Sequence, residues 1–217
     1  MKNIAVLLAG CGVFDGSEIH EAVLTLLSLS RAGATYQCFA PDIPQLHVVN
    51  HVSGEVAQGE SRNVLVEAAR IARGDIKATS ELDVTAFDAL IIPGGFGAAK
   101  NLCNFALVGA DCEVAPEVRD FIAEFALAKK PVGFICIAPV MIPKLYGKGA
   151  KGTIGTDKGT GEAFSAMGGE HQDAAVHDIV VDEANKVVST PAYMLAGSIA
   201  EAHSGIEKLV NKVLAMA

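Results

Sequence analysis

The sequence has no uninterrupted apolar run near the ~18 residues that a membrane-crossing helix needs, and it has no excess of basic residues. Lys and Arg number 17 against 25 Asp and Glu, leaving a formal net charge of −8. A negative field of that kind repels phosphate backbones and anionic lipid, so neither nucleic acid nor a membrane surface is an expected partner. The five cysteines are an odd number; none falls in a C-x-x-C pair and no His stands at a metal-ligand offset, which argues against a zinc site. The N-terminus, Met1-Lys2-Asn3 followed by the short apolar run Ile4 to Ala9, lacks the h-region and cleavage pattern of an export signal. A reducing, cytoplasmic setting with free thiols is therefore expected. Repeats, low-complexity segments and linkers are also missing, so residues 1–217 are expected to form one domain. At 51% hydrophobic composition the chain can bury an ample core.

What is present is an alternation of short aliphatic runs with longer helical patterns. Ile4–Leu8, Ala34–Phe39, Ala89–Ile92 and Val132–Ile135 read as strands. Ser17–Ala32 reads as a helix with Ser17 as N-cap, Gly33 as its stop, and apolar positions at Ile19, Val23, Leu26 and Leu27. Further helices are expected over Ser61–Ala72, Pro116–Ala128, Ala138–Leu145 and Leu195–Met216, with a late strand pair at Ile179–Val181 and Val187–Ser189. Gly147–Gly161 reads as a surface loop. Such alternation predicts a doubly wound α/β fold, a mostly parallel sheet with helices on both faces. Ligands of such sheets sit at the carboxyl ends of strands, which selects Gly10–Glu21, Pro41-Asp42, Pro93–Gly97 and Cys136–Pro139.

Each of those segments has a plain reading beside a chemical one. Gly10-Cys11-Gly12-Val13-Phe14-Asp15 approaches a dinucleotide fingerprint, but Asp15 replaces the third glycine and would set a carboxylate where pyrophosphate docks. Pro93-Gly94-Gly95-Phe96-Gly97 is either a tight turn or a cradle that aims backbone N–H groups at an oxyanion. Phe134-Ile135-Cys136-Ile137-Ala138-Pro139 is either a core cysteine or a nucleophile elbow, in which a helix N-terminus would favour the thiolate. Cys11 leaves the first strand and is a candidate for the same cleft, whereas Cys38 reads as core, and Cys103 and Cys112 fall in an irregular insertion. Glu18 and Glu21 open the first helix, either as complements to its dipole or, for one of them, as a proton carrier facing the thiol. The six histidines are scattered, so a Cys–His pair cannot be read from spacing.

Together, Leu7–Glu21, Pro93–Leu102 and Phe134–Pro139 closely resemble the isoprenoid biosynthesis glyoxalase (ElbB) family. That family belongs to the PfpI-like branch of the class I glutamine-amidotransferase-like superfamily. Thr153–Asp157 and Thr190–Met194 look like later parts of the same pattern, and the resemblance spans essentially the whole chain. It implies a flavodoxin-like fold, with Cys136 as elbow nucleophile and Glu21 as the carboxylate that hydrogen-bonds it. Gly94, Gly95 and the N–H of Ile137 match the oxyanion region, with Glu18 and Cys11 as secondary candidates. Relatives with a Cys–His pair place the His directly after the nucleophile or about twenty residues on; Ile137 and the stretch around Gly155 stand there instead. If a histidine completes a triad it must come from further away, as His171 or His177 would. The implied activity is a glutathione-independent conversion of glyoxal, and other small 2-oxoaldehydes, to 2-hydroxy acids such as glycolate, with no metal or cofactor. The alternative is a redox- or stress-responsive regulatory protein with a reactive elbow thiol. A homodimer is the expected assembly, as the commonest closed one.

Overall fold

The computed structural model describes residues 1–217. Seven strands form one sheet: β1 Asn3–Leu7, β2 Thr35–Ala40, β3 Ile76–Ala78, β4 Ala89–Ile92, β5 Val132–Ile135, β6 Val180–Asp182 and β7 Val187–Thr190. Their order is β6-β7-β5-β4-β1-β2-β3, and every pairing is parallel except β6 with β7. The helices of eight or more residues are α1 Ile19–Arg31, α2 Val64–Ile71, α3 Pro116–Leu127, α4 Lys158–Ala166 and α5 Ile199–Met216. This is a doubly wound, flavodoxin-like fold.

The period-two alternation of the strands builds the layers. Ile4, Val6 and Leu8 meet Ala22 and Leu29 of α1, Val64 and Ala68 of α2, and Ile206 and Leu209 of α5 in one core. Ala5, Leu7 and Ala9 point the other way, into a second core with Val118, Phe121 and Phe125 of α3. From β1 the chain winds outward to β2 and β3, then returns to β4 on the opposite side of β1 and proceeds to β5. The connections after β1 and β4 therefore diverge, opening a crevice at the carboxyl ends of the central strands.

Several expectations are corrected here. Ser17 does not cap α1: its buried Oγ accepts from Ala9 N–H at 2.8 Å, and Glu18 caps instead, accepting from Glu21 N–H at 2.7 Å. The buried face of α1 is Glu21, Ala22, Leu24, Thr25, Ser28 and Leu29, while Ile19, Val23 and Leu27 are exposed. Apolar residues lie all round this helix, so composition alone leaves its rotation open. Thr25 and Ser28 can go inside because each hydroxyl donates to the carbonyl four residues back, at 2.8 Å in both cases. The stretch 147–161 is not a surface loop throughout: Ala150, Gly152, Thr153 and Ile154 are buried, and α4 starts at Lys158. The expected helix after Cys136 is a 3-10 turn, Ala138–Met141, continuing into only five α-helical residues, Ile142–Tyr146.

Candidate active site

β5 ends at Ile135, and Cys136 takes φ +64°, a left-handed conformation that non-glycine residues seldom adopt. Strain of this kind costs about 1–3 kcal/mol and persists only where the surroundings hold it. Here the Cys136 N–H donates to Thr190 O of β7 at 2.9 Å, and the 3-10 turn follows at once. The sharp strand-to-turn junction presents the thiol at the crevice, as a nucleophile elbow does. Gly94 makes room for it: a Cβ there would lie 2.4 Å from Cys136 Cβ and 2.7 Å from Glu21 Oε2.

Glu21, in the first turn of α1, is fully buried. Its Oε2 accepts from Gly94 N–H at 2.9 Å and its Oε1 from Tyr193 N–H at 3.1 Å. It also hydrogen-bonds the Cys136 thiol. Burial raises the carboxyl from its ordinary 4.5 to about 7, against the pull of the Tyr193 N–H, the thiol and the Gly94 N–H. The Cys136 thiol is pushed well above its ordinary range, first by burial and then by the Glu21 charge, although the Gly95 and Ile137 N–H groups reach the sulfur and oppose this. The expected pre-formed thiolate is thus corrected. No long helix points its N-terminus at Cys136, and a buried sulfur beside a carboxylate resists a second negative charge. At neutral pH the pair carries at most one charge between them.

A cavity of about 360 Å³ opens onto the sulfur, with nine of its twelve lining residues apolar. Cys136, Gly95, Ile137 and Glu18 all line it, whereas Glu21 is outside the lining and meets the site through the thiol. Gly94 is a partial correction: its N–H is turned to Glu21 Oε2, leaving those of Gly95 and Ile137 as the donors near the sulfur. Cys11 is not brought to this cavity; it is half-buried, its acidity governed by burial and by the charges of Glu67, Arg70 and Asp15. Asp15 accepts from Val49 N–H at 2.7 Å and so anchors the loop where a dinucleotide phosphate would need space. His171 and His177 do not fold back to the elbow. His171 accepts from Ile154 N–H at 3.2 Å and lines a different cavity, and His177 lies exposed, 3.7 Å from Asp178.

The sequence reading missed Tyr193. Its N–H holds Glu21, it is one of the residues lining the cavity, and its hydroxyl lies 2.9 Å from His20 Nδ1. The only signal for it was its place in Thr190–Met194, a segment to which no chemistry had been attached.

No family model matches the chain. Among curated proteins it is similar to "ES1 protein homolog, mitochondrial" of Rattus norvegicus, 49% identical over 221 residues, covering 98% of this chain and 83% of that protein. It is similar also to "Glutamine amidotransferase-like class 1 domain-containing protein 3, mitochondrial" of Homo sapiens, 48% identical over 221 residues, covering 98% and 82%. "ES1 protein, mitochondrial" of Danio rerio is 37% identical over 207 residues, covering 88% and 77%. All three names say mitochondrial, which overturns the cytoplasmic expectation. That expectation rested on a missing export signal, which bears on secretion and is silent on import into an organelle. Among solved structures, an isoprenoid biosynthesis protein with amidotransferase-like domain from Ehrlichia chaffeensis superposes with TM-score 0.92 at 41% identity, covering 100% of this chain and 99% of that one. Glyoxalase III from Candida albicans shares the fold, with TM-score 0.63 at 13% identity and coverage of 99% and 97%.

Proposed function

This chain belongs to the ES1 family of glutamine amidotransferase-like class 1 proteins, and we propose that it is a cofactor-independent glyoxalase. Its substrates in this reading are glyoxal and other small 2-oxoaldehydes. The observation that carries it is the pairing of the elbow thiol with a fully buried carboxyl whose acidity sits at about 7, at the floor of an apolar cavity lined by no histidine. A base poised near the working pH is best suited to proton transfer.

In this mechanism the sulfur attacks one aldehyde carbon as Glu21 takes the thiol proton. The new oxyanion of the hemithioacetal is held by the N–H groups of Gly95 and Ile137. Glu21 returns the proton to that oxygen, removes the hydrogen from the same carbon and delivers it to the neighbouring carbon, as the hydroxyl proton is given up and the neighbouring oxygen gains one. The product of that isomerisation is a thioester of Cys136, and water releases glycolate and restores the thiol. An aldehyde has no amine to expel, so no imidazole acid is needed.

The regulatory alternative gains no support: a redox-sensing cysteine is exposed and acidic, whereas Cys136 is 7% exposed with its thiol raised. The test is glyoxal conversion to glycolate without glutathione and in the presence of chelator. Turnover on the order of 1 s⁻¹ or more suits an enzyme, and Cys136→Ser should abolish it with the fold intact. Cys136-dependent hydrolysis of glutamine, with glyoxal untouched, would refute the proposal.

A further inference from the structure

The isomerisation needs more than Glu21. When the carboxylate removes hydrogen from the carbon bonded to sulfur, the second carbonyl oxygen, one carbon further into the cavity, must gain a proton. Glu21 cannot supply it, because in that step it is the base that receives the C–H proton, held in place by the Gly94 and Tyr193 N–H groups. The cavity wall offers three other polar side chains, Glu18, Thr160 and Tyr193. Glu18 is occupied as the cap of α1, accepting from Glu21 N–H at 2.7 Å. The Thr160 hydroxyl donates to Asp157 Oδ1 at 2.7 Å. Tyr193 remains. Its hydroxyl is 2.9 Å from His20 Nδ1, with the two ring centroids 5.8 Å apart. Its position is set by the turn before it, where Ala192 takes φ +42°, and by its own N–H on Glu21. Burial, then the charges of Glu18 and Glu21, raise the phenol and keep it protonated.

We propose that Tyr193 is a second catalytic acid–base group of this site, and that His20 is its positioning residue. The inference rests on the glyoxalase reading and deepens it. As Glu21 takes the C–H proton, the Tyr193 O–H bond breaks and its proton passes to the distal carbonyl oxygen, giving an enediol. The resulting phenolate is held by an N–H on His20 Nδ1. In the second half Glu21 gives its proton to the distal carbon, while the hydroxyl on the sulfur-bearing carbon returns its proton to Tyr193. The thioester forms, and both groups end in their starting states.

The experiment is steady-state kinetics of Tyr193→Phe, His20→Ala and His20→Asn on glyoxal and dideuterated glyoxal, with Cys136 alkylation by iodoacetamide measured in parallel. Loss of one acid–base group should lower kcat by about 100-fold in Tyr193→Phe, with KM little changed. The deuterium isotope effect on kcat should rise, because C–H cleavage becomes the slow step. Cys136 alkylation should match the parent, because the backbone N–H that holds Glu21 is retained. His20→Ala should fall roughly tenfold, at the lower end of such effects, and His20→Asn, whose amide can donate to the phenol, should recover most of that loss. Parent kcat in Tyr193→Phe would overturn the inference and leave the glyoxalase reading standing, as would a loss of kcat that tracks a change in Cys136 alkylation. Absence of glyoxal turnover in the parent would overturn both.

Discussion

Replacing Glu21 by Gln should reverse the order of stability of the two proteins with pH. The parent carboxyl titrates at about 7 in the fold against an ordinary 4.5. Because the folded value is raised, the folded state holds the proton more tightly than the unfolded chain between those values. Stability is therefore fully present below 4.5 and is lost as pH rises through about 7. At 1.36 kcal/mol per tenfold, the loss between pH 5 and pH 8 is about 2–3 kcal/mol. Gln cannot ionise, so it removes that slope. It also has one acceptor oxygen where the carboxyl group, protonated or ionised, has two, and both are in use, by Gly94 and Tyr193 N–H groups. Whichever way the amide turns, one buried N–H faces an NH₂ group, at a cost of about 1–3 kcal/mol. At pH 5 the variant should be the less stable protein by about that amount. At pH 8 it should match or exceed the parent, because the buried charge is gone. In thermal unfolding the difference between the two melting temperatures should swing by on the order of 5–10 °C across this range. Other titrating groups are common to both proteins and cancel in the comparison. Parallel pH profiles would refute the reasoning, and would mean that Glu21 titrates as an ordinary carboxyl.

Three further outcomes follow from the same geometry. Glu21→Gln should speed alkylation of Cys136 at pH 8, because removing the neighbouring charge makes the thiol easier to ionise; peptide mapping at limiting iodoacetamide checks this, and an unchanged or slower rate contradicts it. In the parent, Cys136 alkylation should keep accelerating above the ordinary thiol range, since burial and Glu21 hold its proton; a plateau below pH 8 would count against that. Gly94→Ala brings a Cβ to 2.4 Å from Cys136 Cβ and 2.8 Å from Ile135 O. Overpacking of this kind costs about 1–3 kcal/mol, and a displacement of ~1 Å at the sulfur should cost about 100-fold in glyoxal turnover. Denaturant unfolding and turnover together test it, and a variant with parent values of both would show that the elbow has slack.

Six of the seven strands were legible as short aliphatic runs between turn residues, whereas the edge strand Ile76–Ala78, three residues with a lysine at its centre, and the order of the strands were not. Cys136 was legible too, standing where such a run stops. The rotation of α1 was not, because Ile19, Val23 and Leu27 are as apolar as the residues it buries, and the polar Thr25 and Ser28 hide by bonding their own helix. The acidity of the elbow thiol was misread because a helix dipole can be inferred locally, whereas burial beside Glu21 depends on residues far apart in sequence. Tyr193 was invisible for a related reason. Its role comes from a backbone N–H and from a contact with His20, and neither leaves a spacing to read.

The Glu21 carboxylate joins three stretches of chain, its two oxygen contacts spanning 73 residues to Gly94 and 172 to Tyr193. Those separations make the site a late event in folding, since long chain closures must be completed before the contacts return any free energy. A nascent chain displays Cys136 well before Tyr193 has left the ribosome, so during synthesis the thiol is without the clasp that later encloses it. Contacts that form after the folding barrier govern the rate of unfolding and leave the rate of folding nearly unchanged. Damage at Glu21 should accordingly shorten the lifetime of the folded molecule without slowing its formation.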